Sequence, residues 1–269
     1  MAAIGAPPQL HNPNLRPLDA PSAFLAEAAA QGLVRFDAVG EIEPGLAQSW
    51  IVSDEGVRYT FRVRRTNWPD GSRVTAEQVA SRLRAAVSRA SRNPLKPVLG
   101  AVQDAVAMTD QVLEISLRGP RPNLLQLLAQ PEAAIILNGQ GSGPYEVVPA
   151  PDGSVRLSPA PSSTEEEDEV SRLPEIVLSG ESAARAVAAF ANASAELVMG
   201  GTAGNLAYVR AAGVADEQLV FDPVAGLFGL AFAAPAEGSA LADSGVRRAL
   251  SMAVDRDFLV RALAVPGLQ

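Results

Sequence analysis

Few residues in this 269-residue chain could do covalent chemistry. There is no cysteine and one histidine, so thiolate zinc sites, cysteine nucleophiles and His-based triads lack their parts. His11 lies in a proline-rich stretch, Leu10 to Pro21, and is expected to be an exposed, idle side chain. The carboxylates form no singled-out pair for acid–base work. GxSxG, GxGxxG, Walker A and HExxH patterns are missing, so no enzyme and no catalytic residue is expected. Gly141-Ser-Gly-Pro144 fails as a phosphate loop, because no lysine follows and Pro144 removes a backbone donor. The five consecutive acids Glu165–Glu169 follow a Pro/Ser run and do not alternate around a glycine turn. A solvated loop is expected there, not a calcium site; no metal and no cofactor is expected anywhere. What remains is backbone chemistry. Gly32-Leu-Val-Arg-Phe36 reads as a strand that begins with a glycine, where another backbone could approach, and a strand edge can add an extended peptide. By residue type alone, the plainer reading is a core strand.

The elements that would position such an edge are clear over the first half of the chain. Asp54-Glu55-Gly56 separates Trp50-Ile-Val52 from Tyr59-Thr-Phe-Arg-Val63, and both flanks carry strand-favouring residues. Asp70-Gly71 is a turn signal after a proline. Thr75 with Gln78 has capping-box spacing; Val79, Leu83, Ala86 and Val87 then repeat at helical period. Val102 to Met108 and Gln111 to Leu117 form a second strand pair, the latter alternating as in a sheet with one buried face. Ser22 can cap a helix over Ala23 to Ala30. Asp152-Gly153 predicts a hairpin turn, Leu173 to Leu178 and Glu196 to Met199 strands, and Glu181 to Ala191 a helix between them. Phe221 to Phe232 reads as an apolar strand.

Three stretches also carry a family resemblance. The first runs Pro44-Gly-Leu-Ala-Gln-Ser-Trp50, Tyr59-Thr-Phe-Arg-Val-Arg64, Asp70-Gly71 and Val74-Thr-Ala-Glu-Gln-Val79. The second is Gly141-Ser-Gly-Pro-Tyr-Glu-Val147, the third Val246-Arg-Arg-Ala-Leu-Ser-Met-Ala-Val-Asp-Arg256. In order and spacing they resemble the peptide-type, family 5 solute-binding proteins of ABC importers. The resemblance spans roughly residues 18 to 265.

That resemblance implies an α/β fold: a periplasmic-binding-protein type (class II) first lobe carrying an inserted small α+β domain. It implies the first lobe over 1–45 and 141–235, the inserted domain over 46–140, and the start of a second lobe over 236–269. It implies capture of a short peptide or similar small solute for an inner-membrane ABC permease, by a monomer that closes two lobes about a hinge. The cleft strand of the family falls on Gln31, Gly32 and Leu33, with Gln31 where relatives carry an acid. A cleft aromatic falls on Phe228, although the asparagine that follows it in relatives is absent here. The alternative is a single-lobe relative acting as a protein-interaction module. With so little of the second lobe among these residues, poor peptide binding by this chain, or none, is expected.

Composition reads as that of a globular chain. Hydrophobic residues make up 48% and the net charge is −8, which argues against a nucleic-acid partner. Lys96 is the one lysine. The N-terminus carries no basic, apolar leader, whereas the resemblance implies a periplasmic protein, so export by a signal outside these residues is expected.

Overall fold

Asp19, not Ser22, starts the first helix. In the computed structural model, which describes residues 1–160, 173–221 and 238–263, the Asp19 side chain accepts the Ser22 backbone N–H and α1 runs Ala20–Ala29. Pro21 fits because the first turn of a helix needs no donor there. The Ser22 hydroxyl instead accepts the Gln9 N–H at 3.3 Å. The chain divides into two compact units, Met1–Gly200 and Gly201–Gln269.

Within the first unit, β1 (Ala2–Ile4) precedes α1, and β2 (Val34–Phe36) and β3 (Ile42–Pro44) follow it. A four-stranded antiparallel sheet comes next, in the order β4 (Ala47–Ser53), β5 (Arg58–Val63), β7 (Val112–Leu117), β6 (Val102–Thr109). Its first hairpin turns through Asp54, Glu55 and Gly56, all at positive φ, and Arg58 ties the turn down by pairing with Asp54 at 2.7 Å and with Glu114. Alternation places Tyr59, Phe61 and Val63 with Leu113, Ile115 and Leu117 on one face. There they share a core with Val79, Ala80, Leu83 and Ala86 of α2 (Ala76–Val87). The capping box closes as the spacing predicts: Thr75 Oγ1 accepts the Gln78 N–H and Gln78 Oε1 accepts the Thr75 N–H. Gln78 Oε1 also accepts the indole N–H of buried Trp68 at 3.0 Å. The Trp68-Pro-Asp-Gly turn and the helix start are therefore one polar unit.

A second sheet of the same unit has the order β11-β1-β10-β9-β8, where β8 is Tyr145–Pro149, β9 Val155–Pro159, β10 Ile176–Glu181 and β11 Val198–Met199. The β8–β9 hairpin turns at Gly153, φ +83, with Asp152 Oδ1 accepting the Ser154 N–H and hydroxyl. β1 was not anticipated from the sequence. Its Ala-Ala-Ile is too short to show a period, yet it lies inside the sheet, parallel to both β10 and β11. The helix Ala183–Ala191 connects β10 to β11. β10 starts at Ile176, not Leu173, and ends at Glu181, so the helix starts two residues later than expected. Gly180 allows the Ala6 carbonyl to pass where a Cβ would sit 1.9 Å away.

The second unit contains the helix Leu206–Ala211, a helix Ser244–Ala253 capped by Asp243, and a further helix Arg256–Leu263. Val254, in extended conformation, ends the first of these last two helices, and the second starts at Arg256. Residues 161–172, including the acidic run, and residues 222–237, including Phe228, lie outside the described residues.

Candidate functional site

The strand that sequence reasoning singles out is positioned by two close approaches of backbone. Gln31 ends α1 in the left-handed region, φ 50, and its N–H caps the Ala26 carbonyl at 3.1 Å, as helix ends commonly do. Gly32 then passes the end of α3 (Leu124–Leu128), where a Cβ would stand 2.3 Å from the Leu128 carbonyl oxygen. The glycine is required by the protein's own backbone. Behind it, Gly141 and Gly143 lie against the last residues of α1, and a Cβ on Gly141 would meet the Ala29 oxygen at 2.2 Å. Gly143 N–H donates to Ala29 O, and Gln31 Nε2 donates to Ser142 O at 2.9 Å. The Gly-Ser-Gly-Pro corner is thus a clamp on the end of α1, joined to Gln31.

Among the described residues β2 pairs with β3 alone, antiparallel, with Arg35 opposite Glu43. Leu33 is 1% exposed, within the main core, and its carbonyl accepts the Ala47 N–H. Val34 is 0% exposed. The strand reaches the surface only from Arg35 onward; Phe36 is 37% exposed. Of the four residues assigned to ligand from the sequence, Gln31 and Gly32 lie together at one cavity, Leu33 faces the core beside it, and Phe228 is outside the described residues.

That cavity, about 300 Å³, is lined by Glu27, Gln31, Gly32, Arg35, Phe36 and Asp37 on one side and by residues 129–131 and Ala134 on the other. Sequence reasoning missed Glu27, Arg35, Phe36, Asp37 and Gln130. Glu27 was discoverable only as a near neighbour in sequence, four residues before Gln31, which lies past the end of α1. Gln130 was not, since only the fold brings α3 beside β2. Arg35 Nε meets Glu43 Oε1 at 2.6 Å. Asp37 Oδ1 accepts the N–H groups of Val39 and Glu41. Partial desolvation pushes the carboxyl of Glu27, an exposed side chain, above the ordinary carboxylate value, and the like charge of Glu132 adds to the rise. Among the described residues, no group of three His, Cys, Asp or Glu side chains is placed to hold a metal ion, and no helix is long and apolar enough to cross a membrane. His11 bonds only near its own loop, to the Gln9 and Pro17 carbonyls and Arg16.

Residues 41–267 match the family described as "Bacterial extracellular solute-binding proteins, family 5 Middle". The chain is 29% identical over 125 residues to the nickel-binding periplasmic protein of Escherichia coli (strain K12), covering 46% of this chain and 22% of that protein. It is 27% identical over 143 residues to the glutathione-binding protein GsiB of the same strain, covering 48% and 28%. The chain thus spans about a quarter of the length of these curated relatives. The Haemophilus influenzae OppA complex with RPPGFSPFR superposes with a TM-score of 0.66 at 18% identity, over 80% of this chain and 48% of that one. The fold is the α/β, periplasmic-binding-protein type of these neighbours.

Proposed function

The chain belongs to the bacterial extracellular solute-binding proteins of family 5, and from that membership we propose that it captures a short peptide, or a solute of similar size, for delivery to an ABC permease. The single observation that carries this reading to particular residues is the cavity beside β2, which opens where Gln31 and Gly32 leave α1. Its size suits part of a small ligand. Glu27, Gln31, Gly32, Arg35, Phe36, Asp37 and Gln130 line it, while Leu33 is buried in the core. Binding of a small solute outside the cytoplasm, by a monomer whose lobes close over it, follows from the same membership. The four-stranded sheet with α2 takes the part of the inserted domain over 46–140, and the sheet built on β1 and β10 that of the first lobe.

The test is an NMR titration of the ¹⁵N-labelled chain with a tripeptide and, separately, with glutathione. Weak binding, roughly millimolar, is expected of this chain, with amide shifts concentrated at Gln31, Gly32, Arg35 and Phe36. Titrations with either probe that leave those amides unmoved would overturn the assignment.

A further inference from the structure

We propose that Asn138 is a site of spontaneous deamidation, in which the main-chain nitrogen of Gly139 attacks the Asn138 carboxamide and converts the turn to an aspartyl or isoaspartyl form.

Such a reaction needs an open carboxamide and an unengaged N–H on the residue that follows. The chain has eight asparagines. Asn12 and Asn93 precede proline, which has no N–H. After five others the next N–H is taken: Leu15 donates to Asn12 O, Trp68 to Ser72 O, Leu124 to Arg121 O, Ala193 to Phe190 O and Leu206 to Ala203 O. Asn138 differs on both counts. It is exposed, at φ 53, and exposed Gly139 follows at φ 75. Among the described residues, neither its carboxamide nor the Gly139 N–H has a hydrogen-bond partner. A Cβ placed on Gly139 would meet nothing within 4 Å, so the space about the nitrogen is open.

Two Asp-Gly turns show the closed form of the same arrangement. In Asp70-Gly71 and Asp152-Gly153 the glycine N–H donates to Trp68 O and to Ala150 O. Each aspartate Oδ1 accepts the N–H and hydroxyl of the serine beyond. Those bonds hold both carboxyls below the ordinary carboxylate value, and an ionised carboxylate is a poor target for a nucleophile. At Asn138 the target is neutral. Ring closure requires the main chain there to rotate, and the tip is held by one isolated bridge, in which Leu137 and Gln140 exchange N–H···O bonds of 2.9 Å. Opening of such a tip is local and needs little free energy.

In the first step the Gly139 nitrogen bonds to Asn138 Cγ and the amide nitrogen leaves as ammonia, taking up the proton that Gly139 gives to solvent. A five-membered imide results. Water then adds to one of its two carbonyls: one opening yields aspartate, the other an isoaspartate whose main chain runs through Cβ and Cγ. The turn lies between two contacts of Gln31, since Ile135 N–H donates to Gln31 O at 3.0 Å and Gln31 Nε2 to Ser142 O at 2.9 Å. A two-residue loop cannot take in an extra main-chain atom and keep the Leu137–Gln140 register. The isoaspartyl form therefore displaces the end of α1 as well as the tip.

The test holds the folded, ¹⁵N-labelled chain in mildly alkaline buffer and follows it by peptide-mapping mass spectrometry and NMR. Asn138 is expected to lose its amide before the other asparagines, at a rate proportional to hydroxide. Isoaspartate should appear at Asn138 and not at Asp70 or Asp152, with shifted amides at Gln31, Gly141 and Gly143. Asn138→Asp, which adds the charge without the extra main-chain atom, should move those amides less than ageing does. Another asparagine lost first, or aspartate formed at Asn138 with no isoaspartate, overturns the attack by Gly139. So does an Asn138 that survives in the folded chain while a urea-unfolded sample loses it. Isoaspartate at Asn138 with the Gln31 amide unmoved supports the site and overturns its reach to α1.

Discussion

The two sheets of the first unit are held together in different ways. The β4–β7 sheet and α2 pack side chain on side chain: Phe61, Leu113, Ile115, Trp68, Val79 and Leu83 belong to one buried cluster, and every strand pairs with a neighbour inside one 71-residue stretch, Ala47–Leu117. The sheet built on β1 has a smaller cluster, Ala3, Leu25, Ala29, Val155, Leu157 and Leu178. Its centre joins Ala2 to Ser179 across the chain. Much of its fit, and that of the adjoining groove, comes from backbone lying on backbone at Gly32, Gly141, Gly143 and Gly180. In the first region the free energy resides in apolar volume; in the second it depends on the absence of Cβ atoms. The groove lies at their border: Leu33 and Ala129 belong to the first cluster, while Gln31 is tied to the Gly141–Pro144 corner.

Substitutions should separate the two modes. Phe61→Ala removes the largest fully buried side chain of the first region and is expected to cost about 3–5 kcal/mol in urea denaturation. Its effect on the groove should be confined to loss of the folded population. Gly141→Ala places a Cβ 2.2 Å from Ala29 O and 2.3 Å from Ala30 Cα. About 1–3 kcal/mol is expected, with faster hydrogen exchange at the end of α1 and shifted amides at Gln31 and Gly32. A spectrum unchanged at those two residues would mean that the corner does not set the groove.

Asn93 links the regions. Its Nδ2 donates to Asn14 Oδ1 and to the Glu132 carbonyl, each at 2.7 Å, and its Oδ1 accepts the Leu95 N–H. Asn93→Ala strands these buried partners and should cost about 1–3 kcal/mol by thermal melting, while loosening the turn that carries Glu132. Thr75→Ala removes one arm of the capping box, and about 1 kcal/mol is expected. The loss should appear at the start of α2 and at the Trp68 indole, because Gln78 serves both.

The smallest effect concerns pH. The Glu27 carboxyl is raised in the folded chain, so the folded state holds a proton that the unfolded state has already released. Stability therefore declines as pH rises from the ordinary carboxylate value through the folded one. Glu27→Gln should melt slightly higher than the unsubstituted chain at neutral pH, with the advantage vanishing in acid below both values. A melting temperature lowered at neutral pH would contradict the unrelieved charge at this position.

The antiparallel sheet and α2 could be read from the chain because their determinants are local. Alternation from Val112 to Leu117, a turn at Asp54-Glu55-Gly56 and a Thr75–Gln78 cap each act over a few residues, and the structure uses all three. The family could be read too, since its motifs lie in these same turns and caps. Helix starts were less legible: Asp19 and Ser22 are both capping types, and in the fold Asp19 caps α1 while the Ser22 hydroxyl accepts the Gln9 N–H. The central place of β1 was decided by tertiary structure alone, as three residues carry no period and their partners lie beyond residue 175. So was the role of Gly32, which looked open to a ligand's backbone and is instead filled by the carbonyl of Leu128. The composition of the groove followed from that packing: a cavity belongs to no single segment, and only the approach of α3 to the end of α1 and to β2 brings Gln130 within reach of Glu27 and Gln31.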